Sequence, residues 1–376
     1  MGETAPGGSL ALDDGVAAIS REQPAPTFAT RFDPARNNFD LLRIALAVLV
    51  IYCHCLSLKR SPWEPVNAYL HYGYGGLLAV DAFLVISGFL VTRSLCERSL
   101  GDYVFARIAR VLPGLALVTL AEVFVIGLAF TKDRLWIFLS YVGFRHLWNV
   151  SVFGLDAQLY SVFPDTDPPW MINGSLWTIP IECSFYIVLP LASLLFGLRR
   201  SAVPLFLLSL AAFPLAQHFG LSEAAPGPAL LTNVHAFSFI DLSSYFLAGS
   251  AAWIMRDRIP FSLGLLAMSL IGLYAACEAA LSGLALKLFL PYLVLYAAMA
   301  GGIGSRLKRA VGDLSYGTYL FGFPVTLSVM ALDGRLSVHQ TFSAALAITL
   351  FCAWLSWRFV EQPCLRLKAR VRMRRR

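Results

Sequence analysis

Residues 39–58 read FDLLRIALAVLVIYCHCLSL, and the apolar run from Leu41 to Leu58 inside them decides the fold. It approaches the roughly 20 residues that an α-helix needs to cross ~30 Å of hydrocarbon. Similar runs recur near 74–94, 111–130, 176–198, 202–217, 237–254, 261–280, 285–303, 312–331 and 341–360. The expected fold is therefore all-α: a polytopic membrane bundle of about ten transmembrane helices with cytoplasmic N- and C-termini. Hydrophobic residues make up 57% of the chain and charged residues 14%, with a mean hydropathy of +0.66. A soluble domain cannot hide that much apolar surface.

The 376 residues divide into a disordered cytoplasmic tail over 1–38, one transmembrane domain over 39–363, and a basic cytoplasmic tail over 364–376. Residues 1–30 are rich in Ala, Gly, Pro and Ser and lack the charged and apolar regions of a signal peptide. Much of the net charge of +7 sits in the last residues, Arg366 to Arg376, where it reads as an anchor on anionic membrane lipid, so no nucleic-acid partner is expected. Of the seven cysteines, Cys53, Cys55, Cys183, Cys277 and Cys352 fall inside apolar runs without framework spacing, so neither disulfides nor a metal site are expected.

With the N-terminus inside, the Lys/Arg distribution places Arg93, Arg98, Arg107 and Arg110 in the first inner loop. Arg199, Arg200, Arg256, Arg258, Arg306, Lys308 and Arg309 then occupy later inner loops. Lys59, Arg60, Lys132, Arg134, Arg145, Lys287 and Arg335 remain for the outer ones. The stretch Trp136–Val150 is apolar but short and contains Arg145 and His146. If it crossed, every later Arg pair would face outward, so it is read as a re-entrant or interfacial piece of a long outer segment, 131–175. Such a segment suits an acceptor site.

Ionisable side chains in lipid are costly and each requires a reason. Arg43 and His54 are eleven residues apart, which returns to within about 20° of the same helix face, ~16 Å further along the axis. Counting inward from the outer surface, Asp81 on the second helix lies ~9 Å deep and Glu182 on the fourth ~10 Å deep, the layer that His54 reaches from inside. A carboxylate orienting an imidazole that acts as general base is one reading, with Asp81 and Glu182 both open as the carboxylate. A polar cluster that only fixes helix packing is the other. Glu122, Asp241 and Glu278 receive no role.

Arg107 and Arg110, spaced i, i+3, share a helix face and form either a phosphate clamp or a topology-setting pair. The stretch Gly312 to Leu320, with Ser315, Tyr316 and Tyr319, suits the lining of a polar ligand site or a close helix contact.

Together these pieces resemble the membrane acyltransferase-3 family, bacterial enzymes that O-acylate surface polysaccharides and other glycans. The resemblance is carried by Arg43 and His54 in order, Ala79 to Leu90, Arg107-Ile108-Ala109-Arg110 with Pro113, Ser175 to Tyr186, Ser315 to Leu320, and Phe359 to Pro363. It implies His54 as the catalytic residue with Arg43 in support. It further implies an acetyl-CoA or other acyl-CoA donor as substrate, rather than a bound cofactor, with Arg107 and Arg110 near it. The implied acceptor is a glycan or lipid-linked sugar, the location is the bacterial inner membrane, and polysaccharide-biosynthesis proteins are possible partners. A glycolipid transporter or flippase is the alternative; it predicts repeat symmetry and discontinuous helices, and neither is visible in the sequence.

Overall fold

The computed structural model describes residues 1–2, 25–152, 154–167, 169–220 and 236–373. All ten apolar runs are helical: α1 (Phe39–Leu58), α2 (Gly75–Glu97), α3 (Leu100–Ala121), α4 (Thr178–Phe196), α5 (Leu198–His218), α6 (Ala236–Ile254), α7 (Leu263–Glu278), α8 (Ser282–Met299), α9 (Ser315–Leu332) and α10 (Val338–Ser356). No strand occurs among the described residues; two isolated bridges, Thr27 with Pro260 and Gln158 with Met171, are the only extended pairings there.

Seven helices are long and apolar enough to cross a membrane, rather than the expected ten: α1, α2, α3 extended to Phe130, α4, α5, α8, and α10 extended to Leu367. The other three differ for identifiable reasons. The helix α7 has 16 residues, while α6 and α9 are long enough but carry Ser, Thr, Tyr and Gly on the faces they turn inward. The chain is a multi-pass membrane protein.

The tightest packing is between α2 and α6. Gly88 and Gly249 face each other's helix so closely that a Cβ on Gly88 would overlap the Phe246 carbonyl, and one on Gly249 the Val85 carbonyl. Small residues admit backbone-to-backbone approach, the usual way helices associate in lipid. The Thr92 hydroxyl adds a bond of 2.8 Å to Ser250 Oγ. Outward faces are apolar instead: Leu194 and Leu195 of α4 and Ile271 of α7 are 72%, 74% and 68% exposed, as lipid contact requires and as water would not tolerate in such numbers.

The stretch Trp136–Val150 lies in one continuous helical run, 135–151, which passes through a π-helical turn at Phe138–Gly143 and ends in a 3₁₀ turn at Leu147–Ser151. It is not among the seven helices long and apolar enough to cross a membrane. It packs on the end of α3, which itself passes through a π-helical turn at Glu122–Gly127. The remainder of the segment 131–175 is tied down by backbone bonds such as Leu159 N to Trp170 O, 2.8 Å, and Ile172 N to Ala157 O, 2.8 Å.

Helical structure continues beyond the apolar runs at both ends. A short helix, Phe28–Arg31, docks by backbone bonds from Phe28 N to Ile259 O and from Phe261 N to Pro26 O, and Phe28 is buried against Tyr292. Residues ahead of 39 thus pack on the helices through the aromatic anchor Phe28. At the other end a π-helical turn, Trp357–Glu361, leads into a helix, Gln362–Met373, so the basic tail continues as helix. Residues 3–24 of the N-terminal tail and 374–376 of the basic tail lie outside the described residues.

Candidate active site

A cavity of about 370 Å³ lies among α1, α2, α3, α4 and α9, with Trp357 and Leu365 also in its lining. Its lining contains five basic side chains, Arg43, Arg98, Arg107, Arg110 and Lys308, against two acidic ones, Glu182 and Asp313. The excess of positive charge suits an anionic ligand.

The two arginines read from sequence as one clamp divide the work. Arg110 is committed to the protein: it pairs with Asp313 at 3.0 Å and Glu361 at 4.0 Å, and lies over the Tyr316 ring. Burial alone would raise the pKa of Asp313, but Arg110, Lys308 and Arg43 hold its carboxyl well below the usual carboxylate range. Ser315 donates to the same carboxylate at 2.7 Å, and the Tyr316 hydroxyl donates to Val111 O at 3.0 Å. Arg107 instead has no ion pair among the described residues. Its guanidinium lies over the rings of Tyr103 and Tyr186, 6.0 and 5.4 Å from their centroids, and its Nε is buried without a hydrogen-bond partner. A cation held by ring faces alone keeps its donors free for a ligand.

Glu182 also faces this cavity, where it accepts hydrogen bonds from Ser87 at 2.5 Å and Tyr186 at 2.6 Å. Asp81 does not line it. It accepts from Tyr72 at 2.8 Å, in a region where Asp241 of α6 forms an ion pair with Lys287 of α8. Lys287, expected in an outer loop, is therefore fully buried inside a helix.

His54 is 7% exposed, with one ring nitrogen 3.3 Å from Ser175 Oγ and its ring edge-on to Phe323. Among the described residues no carboxylate oxygen lies within 4.0 Å of its ring nitrogens. The structure thus brings Arg43, Glu182, Arg107, Arg110, Ser315, Tyr316 and Tyr319 together around one cavity, but brings neither Asp81 nor Glu182 to His54. Depth counted along helix axes gives height only; the direction each side chain takes around its axis depends on the packing partner.

What joins His54 to the cavity is Ser175, just ahead of α4. Its carbonyl accepts from the Tyr319 hydroxyl at 2.9 Å, and Tyr319 bonds Thr178 Oγ1 at 2.7 Å; both Tyr319 and Thr178 line the cavity. The imidazole is one residue behind the wall. Sequence reading left Ser175 without a role although it opens a recognisable motif, and it left Glu361 without one as well. Ser175 is uncharged, and Glu361 entered the sequence reading only as part of the Phe359 to Pro363 motif.

The family model described as "Acyltransferase domain" matches residues 36–358. Nodulation protein 10 of Rhizobium leguminosarum bv. viciae is 27% identical over 364 residues, covering 90% of this chain and 96% of that protein. The O-acetyl transferase of Shigella phage Sf6 is 25% identical over 346 residues, covering 88% of this chain and 96% of its own. No solved structure matches the chain with significance. The match runs from ahead of α1 through the whole of α10, so α1, α2, α3, α4 and α9 around the cavity all lie within it, and the chain belongs to the acyltransferase-3 family.

Proposed function

We propose that the protein is an O-acyltransferase of the bacterial inner membrane that moves an acetyl or other short acyl group from cytoplasmic acyl-CoA to a hydroxyl of a cell-surface or lipid-linked glycan. The observation that carries this reading is the basic cavity whose lining includes Tyr319 and Thr178, with Tyr319 one hydrogen bond from the Ser175 that contacts His54. Phosphates of the donor meet Arg107, whose donors are free, with Arg43 and Arg98 nearby. Family membership and the phage relative printed as an O-acetyl transferase support the acyl chemistry.

In the reaction His54 takes the proton of the acceptor hydroxyl as its oxygen attacks the thioester carbonyl. The carbon–sulfur bond breaks, and the CoA thiolate leaves and takes up a proton. Transfer through an acyl-imidazole is the variant of the same scheme. Ten crossings with both termini in the cytoplasm put Arg98 and Lys308 on the donor side and the outer segment on the acceptor side.

Membranes supplied with labelled acetyl-CoA and candidate glycans test this directly. Label is expected on the glycan with the wild-type chain and is expected to vanish with His54→Ala at equal membrane content. Near-normal labelling by that variant removes His54 from the scheme.

A further inference from the structure

Beyond Ser175 lies a buried polar cluster that the proposed reaction leaves unused. Glu122 opens the π-helical turn at the end of α3 and is fully buried; π turns inside helices frequently accompany functional sites. Its two carboxylate oxygens have different partners: Oε2 is 2.9 Å from His146 Nε2, and Oε1 accepts from Asn173 Nδ2 at 2.6 Å. His146 is 2% exposed and Asn173 is fully buried.

The proton positions follow from the partners. Asn149 Nδ2 lies 3.5 and 3.3 Å from the two ring nitrogens of His146 but donates at 2.8 Å to Asp156 O. The closer contact of Nδ1 is therefore the Gln158 carbonyl at 3.2 Å, which can only accept and is met by an Nδ1–H. A lone pair on Nε2 facing a bare carboxylate at this distance would repel it, so a proton lies between Nε2 and Oε2. Whichever atom holds that proton, the pair has no net charge, which makes its complete burial tolerable.

Asn173 is oriented without ambiguity. Its Nδ2 reaches two acceptors, Glu122 Oε1 and Leu320 O at 3.0 Å, so its Oδ1 must be the atom that accepts from Ser175 N at 3.1 Å. The residue so anchored presents its hydroxyl to His54. Leu320 adjoins Tyr319, the residue of the cavity wall that bonds the Ser175 carbonyl.

We propose that Glu122, His146 and Asn173 form a positioning unit that fixes Ser175 and, through it, the ring of His54; the proposal rests on the acyl-transfer reading above. None of the three meets the reacting atoms. They hold the start of α4, the end of α3 and the middle of α9 in one arrangement around Ser175, so that the imidazole keeps one orientation.

The test is steady-state acyl transfer from acetyl-CoA by the full chain in membranes. Displacing a reacting group by about an ångström costs on the order of 10²-fold in rate, so Asn173→Ala is expected to lower kcat by about 10²-fold. The donor KM should stay within about twofold, because the cavity's cations are untouched. Glu122→Ala should behave in the same way. Glu122→Gln should retain most of the activity: its oxygen accepts from Asn173 while its amide donates to a neutral His146, so the geometry survives without the charge. Because a partly unfolded population also lowers apparent kcat at constant KM, kcat is referred to the folded fraction measured by size exclusion, and rescue by glutamine at equal folded fraction marks a positioning role.

Wild-type kcat in Asn173→Ala overturns the proposal, as does a Glu122→Gln variant as impaired as Glu122→Ala. Should Asn173→Ala fail to fold, Ser175→Ala removes a single hydroxyl; kcat is expected to fall roughly tenfold, and an unchanged value overturns the proposal. His54→Ala run in parallel separates the two claims. Surviving turnover there removes the reaction scheme, whereas loss there with wild-type Asn173→Ala removes the positioning unit alone.

Discussion

Two arginines one helical turn apart carry opposite burdens, and that contrast predicts opposite phenotypes. Arg107 has free donors in a cavity, so Arg107→Ala is expected to raise the donor KM about tenfold or more with little change in kcat. Arg110 neutralises Asp313 and Glu361, whose side chains are 6% and 2% exposed. Its removal leaves the buried Glu361 without an ion-pair partner among the described residues and Asp313 paired with Lys308 alone at 3.8 Å, and should cost about 3 kcal/mol. In detergent the Arg110→Ala protein should aggregate at a clearly lower temperature than wild type, while Arg107→Ala should not. A KM effect confined to Arg110→Ala would reverse the assignment. The i, i+3 spacing of the pair was legible in the sequence, since it depends only on helix geometry. The division between them was not, because Asp313 and Glu361 enter from distant parts of the chain. For the same reason His54 was recognisable as a costly residue in lipid, whereas its neighbour Ser175, uncharged and unremarkable, was not.

At the scale of elements, the helices themselves were legible because hydrophobicity is a local property, and each of the ten apolar runs became a helix. What was hidden is their mutual contact and their irregular turns. Glu122 and Glu361 both sit in π-helical turns, where one extra residue redirects a side chain; Glu122 reaches His146 and Asn173, and Glu361 reaches Arg110. Such a turn is stabilised by the partner it reaches, so its signal is tertiary rather than local. The α2–α6 contact, by comparison, leaves a trace in Gly88 and Gly249, where backbone meets backbone. Gly88→Leu or Gly249→Leu has no room to relocate its side chain without parting the two helices. Since α2 also carries Ser87, which holds Glu182 in the cavity, either variant should lose the monodisperse peak in size exclusion along with acyl transfer. A monodisperse, active Gly88→Leu protein would show that the two helices do not meet as described.

For the whole molecule the decisive quantity is sidedness, because a donor cavity is useful only if it opens where acyl-CoA is found. Seven helices are apolar enough to cross by composition alone, while α6, α7 and α9 are shorter or more polar. The polar faces of α6 and α9 are themselves informative: Ser244, Ser250, Thr318 and Thr326 are fully buried, so the polarity points into the bundle and does not meet lipid. That argues for ten crossings, as does the Lys/Arg distribution. The two counts differ in what they expose. If all ten helices cross with the N-terminus inside, Cys96 at the end of α2 is cytoplasmic and Asp167 in the outer segment is not; both are exposed on the protein surface. A chain retaining only Cys96 should react with a membrane-impermeant maleimide after permeabilisation and not in intact spheroplasts. A cysteine-free chain with Asp167→Cys should react in both. Extending the assay to Arg258→Cys and Arg306→Cys, which flank α7 and α8, tests the disputed part of the bundle: both should stay protected in intact cells. If Arg258→Cys labels from outside, an odd number of helices separates it from Cys96, and the cavity's cations cannot all face the cytoplasmic donor.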